Sequence, residues 1–217
     1  MAYGITDQMV YNEIQTHLLE APNNGASYGS GLFSLVEVVG RLNWRIREFV
    51  KLTSCVVKRS TSTNSTADTV VQSVPSDSID ILRVGYLDTS GNTIPIPRSS
   101  ALEAELTVTD LVGGNAAVDV PSLYTYDDAA VTTISMFPPP DTQRAIDYIY
   151  VKQPTVMPAS PNGTVIEVPD DFTPFIKYGV LADLWSKTGE THDPARAALC
   201  QQLYILGVDA ARGMVGK

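Results

Sequence analysis

Apolar residues recur at steps of three and four near both ends of the chain and alternate in the middle. That pattern predicts helices flanking a β-rich stretch. Thr6 is placed to cap a first helix, with Asp7 favourable in its first turn. Val10, Ile14 and Leu18 then form one stripe, and Pro22-Asn23-Asn24-Gly25 ends the helix. After a glycine- and serine-containing loop through Gly31, a long helix is expected from about Leu32 to Thr53. Leu35, Val39, Leu42, Ile46, Phe49 and Val50 lie on its apolar face, and Arg41, Arg45 and Glu48 on its polar face. Gly40 interrupts it, at a cost of ~1 kcal/mol against alanine unless something packs closely there.

The texture changes at Ser60. Residues from Ser60 to Thr66 are small and polar throughout and offer nothing to bury, so a mobile loop or hairpin tip is expected through Ala67. Ile79 to Tyr86 reads as a strand, Asp88 to Asn92 as a turn and Thr93 to Ile96 as the return strand. Pro95 and Pro97 place that return strand at an edge. Ser100-Ala101-Leu102-Glu103 is a capping box opening a short helix to about Leu106. Strands are expected at Ser122 to Tyr126, Val131 to Phe137 and Ala145 to Lys152, the last alternating through Ile146, Tyr148 and Tyr150.

Pro154, Pro158, Pro161 and Pro169 make the next segment a wandering connection. Helix resumes near Asp170-Asp171, which read as its cap, with Pro174 tolerated in the first turn. Ile176, Val180 and Leu184 form its stripe, beside Leu181 and Trp185. Gly189 ends it and Asp193-Pro194 opens the last helix, an antiparallel neighbour carrying Leu199, Leu203, Leu206 and Ala210. From Arg212 to Lys217 a flexible tail is expected. The fold class is therefore α+β: a helical bundle from residues 1–58 and 170–217, with an inserted, mainly antiparallel β-rich domain at 59–169.

Length and charge narrow the function. At 217 residues the chain suits one large domain or two small ones and can bury ~70% of its unfolded surface without cross-links. The two cysteines, Cys55 and Cys200, read as reduced thiols. No signal peptide is visible, and no apolar run approaches the ~20 residues a membrane span needs. The formal net charge is −9, which argues against affinity won by neutralising DNA phosphates. Six of the fifteen basic residues, Arg41, Arg45, Arg47, Lys51, Lys58 and Arg59, cluster within one stretch. Such a cluster fits a solvated face, or an acidic or protein partner.

No catalytic template is met. The two histidines, His17 and His192, lie on the first helix and in a helix–helix turn, and no Cys/His group has metal-ligand spacing. No glycine-rich phosphate loop or Gly-x-Ser-x-Gly elbow is present. Asp127-Asp128 reads as a solvated turn, and neither aspartate pair sits in a calcium-loop frame. Trp44 and Trp185 fall on or near apolar stripes and read as core. No catalytic, cofactor-binding or metal-binding residue is assigned, and no cofactor is expected.

The order of four segments carries more. Pro121-Ser122-Leu123-Tyr124-Thr125-Tyr126 is followed by Ile134-Ser135-Met136-Phe137-Pro138-Pro139-Pro140-Asp141 and Ile149-Tyr150-Val151-Lys152-Gln153-Pro154. Val168-Pro169-Asp170-Asp171-Phe172 then leads into Tyr178-Gly179-Val180-Leu181-Ala182. The series resembles the head-to-tail adaptor family of short-tailed and related phages. The resemblance implies a structural virion protein, made in the host cytoplasm and incorporated at the head–tail interface. It implies a homo-oligomeric ring, typically of twelve subunits, docked to the portal protein above and to tail tube or nozzle proteins below. DNA would pass through the ring's channel without specific binding, an acidic lining preventing it from sticking. Arg41 and Arg45 on the second helix and Arg212, Met214 and Val215 at the C-terminus are the candidate portal or ring contacts. Two other classes remain open: a receptor- or carbohydrate-binding module of a tail fibre, and a hydrolase with an unrecognised site.

Overall fold

The structure, a computed structural model, describes residues 4–19, 22–23, 25–27, 32–88, 90–100, 102–104, 118–126, 132–189 and 192–215. Its helices and two antiparallel sheets give the α+β class expected. The Asp127-Asp128 pair, Val131, residues 28–31, the short helix beyond Ala104, and Gly216 and Lys217 lie outside the described residues. The chain divides into two compact units, Met1–Val56 with Gln153–Lys217, and Val57–Lys152.

In the first unit, α1 spans Asp7–His17 and is capped by Thr6, whose hydroxyl accepts from the Met9 amide. Val10 and Ile14 are buried as the stripe requires. Asp7 does more than complement the helix dipole. Its buried carboxylate accepts from the amides of Gly163 (2.9 Å) and Asn162 (3.2 Å), pinning the proline-rich connection to the helix start.

The second helix, α2, spans Leu35–Thr53 rather than starting at Leu32, because the Ser34 hydroxyl caps it by accepting from the Glu37 amide. Its apolar face, Val39, Leu42, Ile46, Phe49 and Val50, is buried as expected. Residues 153–169 were expected with the β region, but they pack with the helices. Met157, Ile166 and Val168 are buried, Asn43 exchanges two hydrogen bonds with the Met157 backbone, and Ile166 N–H donates to the Ile5 carbonyl.

In the second unit, β1 spans Val57–Asn64, β2 Val71–Ser73, β3 Ser78–Leu87, β4 Thr93–Ile96, β5 Leu123–Thr125, β6 Thr133–Phe137 and β7 Ala145–Lys152. One sheet has the order β1-β7-β3-β4 and the other β2-β6-β5. The β3–β4 hairpin falls where the pattern put it, with β4 on an edge. Tyr148 and Tyr150 on β7 are buried with Ile81 and Val84 of β3 and with Ile134 and Met136 of β6. Their hydroxyls are satisfied there, Tyr148 by the Ser73 carbonyl and Tyr150 by the Asp77 carboxylate.

The stretch from Ser60 to Ala67 is not a mobile loop. Ser60 to Asn64 belong to β1, which pairs antiparallel with β7 from Val57↔Val151 to Asn64↔Ala145. Ser65 then exchanges hydrogen bonds with Arg144, and buried Gln72 bridges the backbones of Thr66 and Thr69. An edge strand needs apolar side chains of its own only where it faces the core. Here the central strand β7 supplies them, and Thr is a good strand former.

Opposite Tyr148, Asp147 is fully buried and ties all four strands together. It accepts from Arg59 of β1 at 2.7 and 2.9 Å and from Thr93 of β4 at 2.9 Å, and Arg83 of β3 stands 3.6 Å away. The hydrogen bonds from Arg59 outweigh desolvation and hold this carboxyl below the usual aspartate range.

The first unit closes with α3 at Thr173–Trp185 and α4 at Pro194–Val215. Pro174 sits in the first turn of α3, but Asp170 is not its cap. Phe172 holds that position without a side-chain bond, and the Asp170 carboxylate instead accepts from the Ile5 amide. Asp193 does cap α4, accepting from the Arg196 amide. The expected flexible tail is helix: α4 continues to Val215, with Val208 and Ala211 buried.

Candidate docking surface

Three helices of the first unit meet at one buried cation. Arg45 of α2 donates to Asp183 of α3 at 2.6 and 2.9 Å, to Glu48 at 2.8 Å and to Gln201 of α4 at 3.2 Å, and stacks on the Tyr204 ring at 4.8 Å. Tyr204 returns a hydroxyl bond to Glu48. Burial works against the charge on Arg45, but the bonds and charges of Asp183 and Glu48 prevail and raise its pKa further. Arg45 therefore faces inward, not into solvent as its place on the polar face predicts, and it holds α2, α3 and α4 in register.

The remaining site candidates separate into two patches. Arg41 is exposed on the outer face of α2. Arg212 lies at the other end of that helix, where its Nε–H donates to the Leu52 carbonyl at 2.9 Å. Eleven helical rises, about 16 Å, separate Arg41 from Leu52. Arg212 thus ties the end of α4 to its own subunit, while Met214 and Val215 beyond it are 75% and 41% exposed.

Around Arg41 is a surface the sequence reading missed. Trp44, read as core, is 61% exposed, one turn from Gly40 and two from Val36, itself 75% exposed. Beside Trp44, a groove of about 220 Å³ runs between α2 and the segment Gln153–Val156, lined by Gly40, Asn43, Arg47 and Pro154. Val36, Gly40 and Trp44 recur every fourth residue, opposite the buried stripe. That second period was the available signal.

Among the described residues no three His, Cys, Asp or Glu side chains gather as a metal site would require. His17 Nδ1–H donates to the Glu13 carbonyl and the ring packs edge-on to Tyr178, and His192 is exposed in the α3–α4 turn. Both cysteines are free thiols. Among the described residues no helix is long and apolar enough to cross a membrane. What the surface offers is an aromatic side chain and guanidinium groups around a groove of mixed apolar and polar lining, the residue types enriched in protein–protein contacts.

No curated protein matches the chain. The sequence model of one family, described as SU10 adaptor protein, matches residues 10–215, and so spans both units from the first helix to the end of the last. The chain belongs to the SU10 adaptor protein family, and it is a structural phage protein of that adaptor class.

Proposed function

We propose that the chain is a head-to-tail adaptor subunit. It docks beneath the portal as one copy of a closed ring, twelve in the related adaptors, and carries tail tube or nozzle proteins on its other side. The reading rests on the family match over residues 10–215. In it the helices at the two ends of the chain form the bundle that assembles, the β region is its insertion, and the work is done without catalysis, inside the virion. A ring needs a heterologous contact that closes, and Arg41 on α2 is placed on a face free for one. Met214 and Val215, exposed beyond the Arg212 tether, are suited to reach the portal. Arg45 contributes indirectly, by fixing the helices that present these groups. A net charge of −9 suits a channel that DNA crosses without binding.

Electron micrographs of the purified protein, alone and with its portal, test this. The expected result is a monomer or weak oligomer alone and a coaxial ring on the portal. A stable trimer that ignores the portal would replace this reading with that of a fibre module.

A further inference from the structure

An unexplained glycine points to a missing partner. Glycine within a helix costs about 1 kcal/mol against alanine, so each helical glycine calls for a reason. Two have one inside the subunit: a Cβ at Gly207 would overlap Phe175, and one at Gly179 would come within 2.8 Å of the Tyr204 ring. Gly40 of α2 and Gly213 of α4 have none, since a Cβ at either meets nothing within 4 Å. Gly213 sits in the last turn of its helix, where glycine is common, whereas Gly40 lies mid-helix. Yet Gly40 forms the floor between exposed Val36 and exposed Trp44, at the mouth of the groove. Space kept open over a helix backbone, next to an exposed tryptophan, is space into which another helix can pack closely.

The same unit carries a helix face whose large aliphatic side chains are exposed. On α4, Leu199 (57% exposed), Ile205 (48%) and Leu206 (58%) project away from the buried side defined by Tyr204, Val208 and Ala211. Leu199 and Leu206 are two turns apart on one stripe, and Asp209 follows them one turn on. The groove is flanked by Arg41 and Arg47, and its counterpart ends in an aspartate. None of these three charges has an ion pair among the described residues.

We propose that the groove at Gly40 and Trp44 receives the outward face of α4 from a second copy of this chain. The occupant is another subunit because one unit carries both halves, Val36, Trp44 and Pro154 against Leu199 and Leu206, and Arg41 and Arg47 against Asp209. The contact is heterologous, since the two faces differ, and repeating it builds a ring or chain rather than a closed dimer. One helix seated in one groove falls short of the ~1,000 Å² expected of a durable interface. Single contacts are therefore weak, and a closed ring on a template is what makes them persist. The inference rests on the ring reading above and supplies its interface.

The test uses the intact chain with Trp44→Ala and Leu206→Asp, both at exposed positions, with folding checked by circular dichroism. Sedimentation velocity over rising concentration measures self-association, and micrographs score ring completion on the portal. Each variant alone is expected to lose self-association by about tenfold or more and to leave portal rings incomplete. An equimolar mixture is expected to give dimers and nothing larger. W44A keeps an intact α4 face and L206D keeps an intact groove, so one good contact remains between them. If wild-type protein forms rings and either variant still does so normally, the assigned faces are wrong while the ring stands. Should the mixture form no dimers where the wild type associates, the pairing of groove with α4 is overturned. Wild-type protein that forms no ring with or without portal would overturn the ring reading itself.

Discussion

Replacing Gly40, Gly179 and Gly207 by alanine, one at a time, should change stability in opposite directions. All three lie within helices, so each substitution gains about 1 kcal/mol of helix propensity. At Gly40 nothing opposes the gain, because the new methyl group enters open space. Gly40→Ala should stabilise the isolated subunit by close to 1 kcal/mol, about 2–4 °C in melting temperature for a chain of this length. At Gly207 the methyl group would overlap Cβ and Cγ of Phe175 and stand 2.8 Å from its Cδ1. Those atoms sit next to the α3 backbone and cannot swing clear, so the two helices must part. Overpacking of this kind costs about 1–3 kcal/mol or more, and Gly207→Ala should be net destabilising by roughly 1–2 kcal/mol after the propensity gain. At Gly179 the obstacles are the Tyr204 ring at 2.8 Å and Arg45 Cδ at 3.0 Å. Displacing them disturbs the Arg45–Asp183 bonds, so the loss should match or exceed that at Gly207. Urea unfolding followed by helical circular dichroism, with Trp185 fluorescence as a second probe, gives all three midpoints. If Gly207→Ala proved as stable as the wild type, or Gly40→Ala lost more than about 1 kcal/mol, the reasoning from open and closed space would be wrong.

Three further outcomes are expected. Asp147→Asn should destabilise the β unit by about 1–2 kcal/mol at neutral pH, a value held down because Arg59 is itself largely solvent-exposed. Because the folded carboxyl titrates below its unfolded value of about 3.9, its contribution is present above that pH and lost as pH falls through the folded value, so the variant's acid unfolding should show a shallower pH dependence below about pH 4. Truncation after Leu206 removes buried Val208 and Ala211 and the Arg212 tether, and should cost about 3 kcal/mol or unfold the helical unit, whereas ending the chain at Gly213 should leave melting unchanged and lower portal affinity. Trypsin should not cut native protein early at Lys58 or Arg59, since both lie in β1, and rapid cleavage there would contradict its pairing with β7.

Where hydrophobic period and local capping decide the structure, the sequence was readable. Thr6 and Asp193 cap the helices they were expected to cap, the buried face of α2 matches its stripe, and the β3–β4 hairpin matches its turn. Family membership was readable from the order of four proline-containing segments, none informative alone. Elements stabilised by distant partners were not. A helical period assigns Arg45 to a polar face, yet its position is decided by Asp183, 138 residues away, which turns that face into an interior. β1 has a loop's composition and becomes a strand because β7 offers it a register. Residues 153–169 have a linker's prolines but are held by Asp7 and Asn43.

The docking surface was obscured for a different reason. A helix that packs on two sides carries two apolar stripes, and the stronger one hides the weaker. On α2 the inner stripe of Leu42, Ile46 and Phe49 dominates the pattern, so Trp44 beside it reads as core although it is exposed. On α4 the pattern of Leu199, Leu203 and Leu206 draws the eye, but Leu199 and Leu206 face outward, and the inner face is made by Ala197, Tyr204, Val208 and Ala211. Small residues and a tyrosine can line an inner face when the neighbouring helix approaches closely, as Gly179 and Gly207 allow it to here. The large aliphatic residues are then left for solvent, where a lone monomer gains nothing from them. The glycines that bring α3 and α4 together are what turn the leucines outward, onto the face where the proposed neighbouring copy would cover them.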